Sequence, residues 1–283
     1  MKLEELLKAG IVKLKENKIE DSALISKELL SFALGQDKQY LIVNSDVEIN
    51  KVIEKKYNKY IKDIIEGKPL QYITNKQEFM KLNFYVDENV LIPQPDTETL
   101  VEEVLELCNK DSKVKVLDLC TGSGAIAISL EKYIKAIDKA IYASDISENA
   151  LEVARKNAID NSAKINFIQS DMFESINEKD FDIIVSNPPY IEKNVIPTLS
   201  KQVLCEPKLA LDGGEDGLDF YRIIAENVYK YLNKKGFLVL EIGYNQKDGV
   251  IKILEKINKY DIVKTVKDLA GNDRCIIARI KVM

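Results

Sequence analysis

No histidine occurs anywhere in the 283 residues. This removes the commonest general base and metal ligand and excludes every Ser-His or Cys-His catalytic pair. The four cysteines, Cys108, Cys120, Cys205 and Cys275, are scattered and form no C-x-x-C pair. Neither a disulfide framework nor a zinc site is therefore expected, and buried thiols are the plain reading for Cys108 and Cys275. No apolar run reaches the roughly 18 residues of a membrane span. The amino terminus opens directly into the charged stretch Met1-Lys2-Leu3-Glu4-Glu5 rather than a signal peptide. A cytoplasmic chain with no membrane partner is the expectation. The formal net charge of −5 gives no broad basic footprint, so stable nucleic-acid binding is not expected, although a local basic patch is compatible with it.

The hydrophobic fraction of 46% is ordinary for a globular chain, and the length suits one large domain with a smaller one. Leu3, Leu6, Leu7, Ile11 and Leu14 share one helical face. A second helix starts at Asp21-Ser22 and runs to Gly35; a third covers about Asn50 to Ile65 and stops at Glu66-Gly67-Lys68-Pro69. Residues 1–69 thus read as a small helical bundle, either a docking module or a structural appendage. The period then changes. Phe79, Leu82, Phe84, Val86 and Val90, with Asp87-Glu88-Asn89 between, predict a linking β-hairpin within residues 70–92. Pro93-Gln94-Pro95-Asp96-Thr97 stiffens the chain and caps a helix from Glu98 to Cys108, so the second domain is set at 93–283.

In that second domain strands and helices alternate. Strands are predicted at Val114 to Leu119, Ala140 to Ser144, Ile165 to Ile168, Phe181 to Val185, Phe237 to Ile242, Ile262 to Val266 and Cys275 to Val282. Helices are predicted at Gly124 to Tyr133, Ser147 to Ile159, Leu218 to Leu232 and Val250 to Ile257. The pattern predicts an α/β fold with a doubly wound, mostly parallel sheet. Too few residues separate the last two strands for a crossover helix, so they should pair antiparallel.

Two turns carry chemistry. Asn187-Pro188-Pro189-Tyr190 ends the Phe181 strand. Its prolines donate no backbone N–H, so the turn offers acceptors: the Asn187 side-chain oxygen and the Asn187 and Pro188 carbonyls. Such a notch suits a planar NH2 group, with Tyr190 providing an aromatic face; the same residues also suit a loop that merely stops a strand. The second turn, Cys120-Thr121-Gly122-Ser123-Gly124, lies between a strand and a helix start, where close backbone approach by a ligand is easy. Asp145 follows at the end of the next strand, where a ribose-binding acid belongs. Gly122 to Ala127 also satisfies G-x-G-x-x-A, so a nicotinamide-dependent oxidoreductase is a rival. Two features favour another cofactor. Asp118, inside the first strand, would meet an ammonium, and Asp171 with Met172 and Phe173 would take an adenine amine and flank its ring. An amino acid, a ribose and an adenine describe S-adenosylmethionine.

The chain resembles the class I S-adenosylmethionine-dependent methyltransferases and, more closely, the release factor glutamine methyltransferase family. The likeness runs through Pro69-Leu70-Gln71-Tyr72-Ile73, Val90 to Glu98, Asp118 to Gly124, Asn187 to Tyr190, Glu206-Pro207, Gly213 to Gly217, Leu240-Glu241-Ile242-Gly243 and Asp268 to Arg274. The resemblance implies a Rossmann-like sheet whose last strand is antiparallel. It also implies transfer of a methyl group to the Gly-Gly-Gln glutamine amide of class I peptide chain release factors. Asn187 and Pro188 would hold the amide, and Phe79 and Tyr190 would sandwich its side chain, Phe79 being equally suited to the hairpin core. A ribosomal-protein glutamine methyltransferase, or an enzyme acting on adenine amines, shares parts of the pattern. Two positions depart from the family: Gln94 where arginine is usual, and Cys120 where glycine is common.

Overall fold

The computed structural model describes residues 1–108 and 113–281 and divides into two compact units: Met1–Asn75 with Ser200–Cys205, and the remainder. Val282, at the end of the last predicted strand, lies outside the described residues. No helix among them is long and apolar enough to cross a membrane.

The first unit is helical, with helices at Leu3–Glu16, Ser22–Leu34, Lys38–Val43, Lys51–Glu66 and Leu70–Thr74. Their apolar stripes meet around Leu3, Leu14, Leu29, Leu30, Tyr57, Ile61 and Ile64, all buried. Gly10 makes this possible. A Cβ there would lie 1.9 Å from the Tyr57 hydroxyl, which the glycine leaves free to pair with Ser26. The Lys38–Val43 helix was not expected; Asp37, whose side chain accepts from the Tyr40 amide, is the cap that marks it. The Leu70–Thr74 helix replaces the start of the predicted hairpin region.

In the second unit that hairpin is shorter than its apolar alternation suggests. Strand β1 (Gln77–Phe79) pairs antiparallel with β2 (Leu82–Phe84), and the turn falls at Met80-Lys81, both with positive φ, not at Asp87-Glu88-Asn89. Neither turn residue is the Asn or Gly that normally marks such a turn.

The main sheet contains β3 (Lys113–Leu119), β4 (Asp138–Asp145), β5 (Asn166–Gln169), β6 (Phe181–Ser186), β7 (Leu232–Glu241), β8 (Tyr260–Lys267) and β9 (Asp273–Ile280), in the order β5-β4-β3-β6-β7-β9-β8. Only β9 runs against the rest, antiparallel to both β7 and β8. Alternate residues of the central strands feed separate cores. Val116, Ile183 and Val185 join one with the Glu98–Cys108 and Ala125–Tyr133 helices; Leu117, Leu119, Ile184 and Leu240 join the other with Asp219–Asn227 and Lys247–Ile257. Burial on both faces explains why these strands read as continuous apolar runs. The chain winds outward from β3 to β5 and then returns to lay β6 on the other side of β3, so the strand order reverses between β3 and β6. A crevice at the carboxyl ends of the strands is expected at that reversal.

Candidate active site

The crevice is there, as a cavity of about 410 Å³ formed wholly within the second unit. Its floor is the turn after β3. Cys120 adopts φ +63°, Gly122 +53° and Gly124 +81°, and the Thr121 amide donates to the Ser144 carbonyl of the neighbouring strand (2.9 Å). Left-handed backbone is inexpensive for the glycines, whereas Cys120 adopts it against the preference of an L side chain. A Cβ on Gly124 would sit 3.0 Å from Ile128 Cδ1 and 3.1 Å from Ala154 Cβ, so this glycine seats the helix start against its neighbour.

Cys120, Thr121, Gly122, Ser123, Asp145, Asp171, Met172, Asn187, Pro189 and Phe79 all line this cavity. Asp145 accepts the Gly122 amide through Oδ2 and the Ser147 amide through Oδ1, each at 2.9 Å. Burial raises its pKa, opposed by those amides and that of Ile146. Each oxygen keeps a lone pair for a ligand hydroxyl. Asp171 is exposed at the next strand end, and Met172 is buried beside it. Phe79 is 1% exposed, edge-on to Phe84 at 6.1 Å, so it belongs to the hairpin core while touching the cavity.

Asp118, Gly124, Pro188 and Tyr190 are not among the lining residues. Asp118 is fully buried; its Oδ2 accepts from Thr121 Oγ1 (2.5 Å) and the Ala127 amide (3.1 Å). It therefore clamps the turn to the helix start instead of reaching an ammonium from the strand end. Burial pushes its pKa up to about 7 against these two bonds, and Oδ1 has no partner among the described residues. Tyr190 packs against the second core and points its hydroxyl at Glu241 Oε1 (3.4 Å), so its ring does not face the cavity as expected. Phe173, expected beside an adenine, instead stacks on Tyr231 at 4.8 Å.

Several lining residues were not anticipated. Ile146, 44% exposed, adds an apolar wall next to Asp145, and Leu209, Phe220 and Ile223 close another side. Gln94 lines the cavity and donates from Nε2 to the Ile92 carbonyl (2.9 Å). Ile92 in turn donates its amide to Glu206 Oε2 (3.0 Å), and burial pushes the Glu206 carboxyl up to about 7. Thr97, also on the cavity wall, receives a hydrogen bond from Asn187 Nδ2 at 3.3 Å. That bond turns Asn187 Oδ1 away from Thr97. Oδ1 has no partner among the described residues.

The residues fit S-adenosylmethionine. A left-handed turn with bare glycine backbone, an acid at the next strand end and an acid with apolar neighbours at the third supply contacts for its amino-acid, ribose and adenine parts. A reversed-order α/β sheet with this cavity at its carboxyl edge defines a class I S-adenosylmethionine-dependent methyltransferase.

Comparison with known proteins agrees. Residues 95–264 match the Methyltransferase small domain and residues 5–74 the PrmC N-terminal domain. The chain is 41% identical over 283 residues to the release factor glutamine methyltransferase of Clostridium acetobutylicum, covering 98% of each. It is 37% identical over 280 residues to that of Moorella thermoacetica, again covering 98% of each. Among solved structures, a methyltransferase from Pyrococcus furiosus superposes with a TM-score of 0.53 at 20% identity, over 71% of this chain and 90% of that one, a likeness of fold. The chain belongs to the release factor glutamine methyltransferase family.

Proposed function

We propose that this protein methylates the side-chain amide nitrogen of the glutamine in the Gly-Gly-Gln tripeptide of class I peptide chain release factors. The observation that carries the reading is the shared cavity: Asn187, whose Nδ2 is taken by Thr97, lines the same space as the Cys120–Ser123 turn and Asp145. Bound there, S-adenosylmethionine supplies a methyl group made electrophilic by its sulfonium. In this reading Thr121, Gly122 and Ser123 accommodate the amino-acid portion, Asp145 accepts from the ribose hydroxyls, and Asp171 with Met172 addresses the adenine. Asp118 and Gly124 act one step back, by holding the turn's shape.

The acceptor is chemically difficult. An amide nitrogen is a poor nucleophile because its lone pair is delocalised into the carbonyl. Asn187 Oδ1 can accept an N–H of the substrate amide, which aims the nitrogen. The same oxygen stabilises the positive charge that grows on the nitrogen as its new bond forms. The surplus proton leaves to water or to a backbone carbonyl; the sequence has no histidine to take it. Pro189 and Phe79 supply apolar wall for the glutamine methylenes. The amino-terminal helices, residues 1–69, would dock the protein substrate, and residues 93–283 would carry the methyltransferase site.

The test is transfer of labelled methyl from S-adenosylmethionine to recombinant release factor and to its variant with alanine in place of the tripeptide glutamine. Label on the first alone is the expected result. Label on both, or on neither, refutes the assignment.

A further inference from the structure

Asn157 does not line the cavity, yet its side chain joins two segments that lead into it. It lies on the helix Glu148–Asp160 and is fully buried. Its Oδ1 accepts from the Tyr85 amide (2.6 Å), and its Nδ2 donates to the Tyr85 carbonyl and to the Ser123 carbonyl (2.9 Å each). Both donor hydrogens are thus engaged, and turning the amide over would set its oxygen against two carbonyls. Toward Tyr85 the side chain behaves as a neighbouring strand would, meeting both main-chain groups of one residue. Toward Ser123 it takes a carbonyl of the cofactor turn itself, in a peptide whose Gly124 amide already donates to the Thr121 carbonyl (2.9 Å).

Two more asparagines on the same side of this helix reach the same segment. Asn161 donates from Nδ2 to the Asn83 carbonyl (2.9 Å), and Asn149 donates from Nδ2 to Asn89 Oδ1 (3.3 Å). From residue 149 to residue 161 a helix rises about 18 Å. Residues 83 to 89 span about 20 Å when extended. The matching lengths lay this segment antiparallel along the helix. The chain then runs on through Asn89, Val90, Leu91, Pro93 and Gln94, all on the cavity wall. Of the three asparagines, Asn157 is the one whose side chain also holds the cofactor turn.

Resting on the functional reading above, we propose that Asn157 is a positioning residue for methyl transfer: by holding Ser123 and Tyr85 on one amide, it sets the cofactor turn and the acceptor wall at a fixed separation. A cofactor seated on the turn steadies the Ser123 carbonyl and the Asn157 amide bound to it. Through that amide it also steadies the Tyr85 main chain at the root of the wall. In-line transfer depends on such registration, because a displacement of about 1 Å can cost roughly 10²-fold in rate.

The experiment compares wild type, Asn157→Ala and Asn161→Ala as full chains. Asn161→Ala cuts a neighbouring bond to the same segment and leaves Ser123 untouched. Methyl transfer to release factor at saturating S-adenosylmethionine is measured beside hydrogen exchange of the Tyr85 amide, with and without S-adenosylhomocysteine. Asn157→Ala should lower kcat roughly 10- to 100-fold, and Asn161→Ala less than about threefold. S-adenosylhomocysteine should slow Tyr85 exchange severalfold in wild type and in Asn161→Ala; in Asn157→Ala that exchange should be fast with or without the ligand. Equal kcat losses in the two variants, an unchanged kcat in Asn157→Ala, or wild-type Tyr85 exchange indifferent to S-adenosylhomocysteine overturns the proposal. Should Asn157→Ala fail to fold, Asn157→Asp takes its place, since it keeps an acceptor for the Tyr85 amide while forfeiting both donated bonds. The wild-type exchange decides independently of either variant. A wild type that transfers no methyl to release factor sinks the functional reading instead, and the exchange measurements then judge the link alone.

Discussion

Glu241 ends strand β7 as a buried acid, and its environment makes a prediction about stability. Burial raises its pKa from 4.5 to about 7, against the lowering influence of Thr97, Arg274 and Tyr190. Between those two values the folded chain holds a proton that the unfolded chain has released. Stability from this group is therefore full below about 4.5 and is lost as pH rises through about 7. The shift is equivalent to up to about 3 kcal/mol. Glu241→Gln lacks the titration, so denaturant unfolding of variant and wild type at about pH 5 and about pH 8 should show the variant gaining on the wild type as pH rises. A constant difference would place the carboxyl's titration elsewhere. Cys120 shows a different tension at the residue scale: its left-handed φ is what a glycine would adopt freely, and the chain accepts the strain where the cofactor turn must bend.

Among the elements, the strand-turn-helix from β3 to Tyr133 was the most legible. The apolar run of β3, the small residues after it and the amphipathic helix identify themselves by composition and period. What composition could not convey was the direction of Asp118. Strand parity puts it on the face of Val116, beneath the Ala125–Tyr133 helix, where Ala127 and Thr121 claim its carboxylate. The hairpin turn was hidden for another reason. Met80 and Lys81 carry no turn signature, and their positive φ is sustained by tertiary bonds: the Met80 amide donates to Glu98, and its carbonyl accepts from Tyr133 Oη at 2.6 Å. The cofactor turn yields a clean test of element packing. Gly124→Ala places a methyl against Ile128 and Ala154 at φ +81°. It should cost about 1 to 2 kcal/mol of unfolding free energy and weaken S-adenosylhomocysteine binding together. A variant that binds and unfolds as wild type would show that the helix start yields to a methyl at no cost.

Across the whole molecule, strand order converts local turns into one site. The reversal between β3 and β6 brings the turn after β3 beside the Asn187 turn after β6, so a methyl donor and an amide acceptor can share one cavity. Alternating β and α made the sheet predictable, and the end of each parallel strand told where a ligand would be met. The support behind Asn187 was not readable in the same way. Thr97 and Asn187 are separated by 90 residues and meet only through the fold. Domain-scale reading was partial: the helical bundle emerged from its periodic stripes, while the return of Ser200–Cys205 to that first unit had no sequence signal. The central claim, that Asn187 acts on the acceptor amide and not on the cofactor, is tested most directly by Asn187→Ala. Methyl transfer to release factor should slow roughly 10²- to 10³-fold, with S-adenosylhomocysteine affinity nearly unchanged. Equal loss of turnover and cofactor affinity would contradict it.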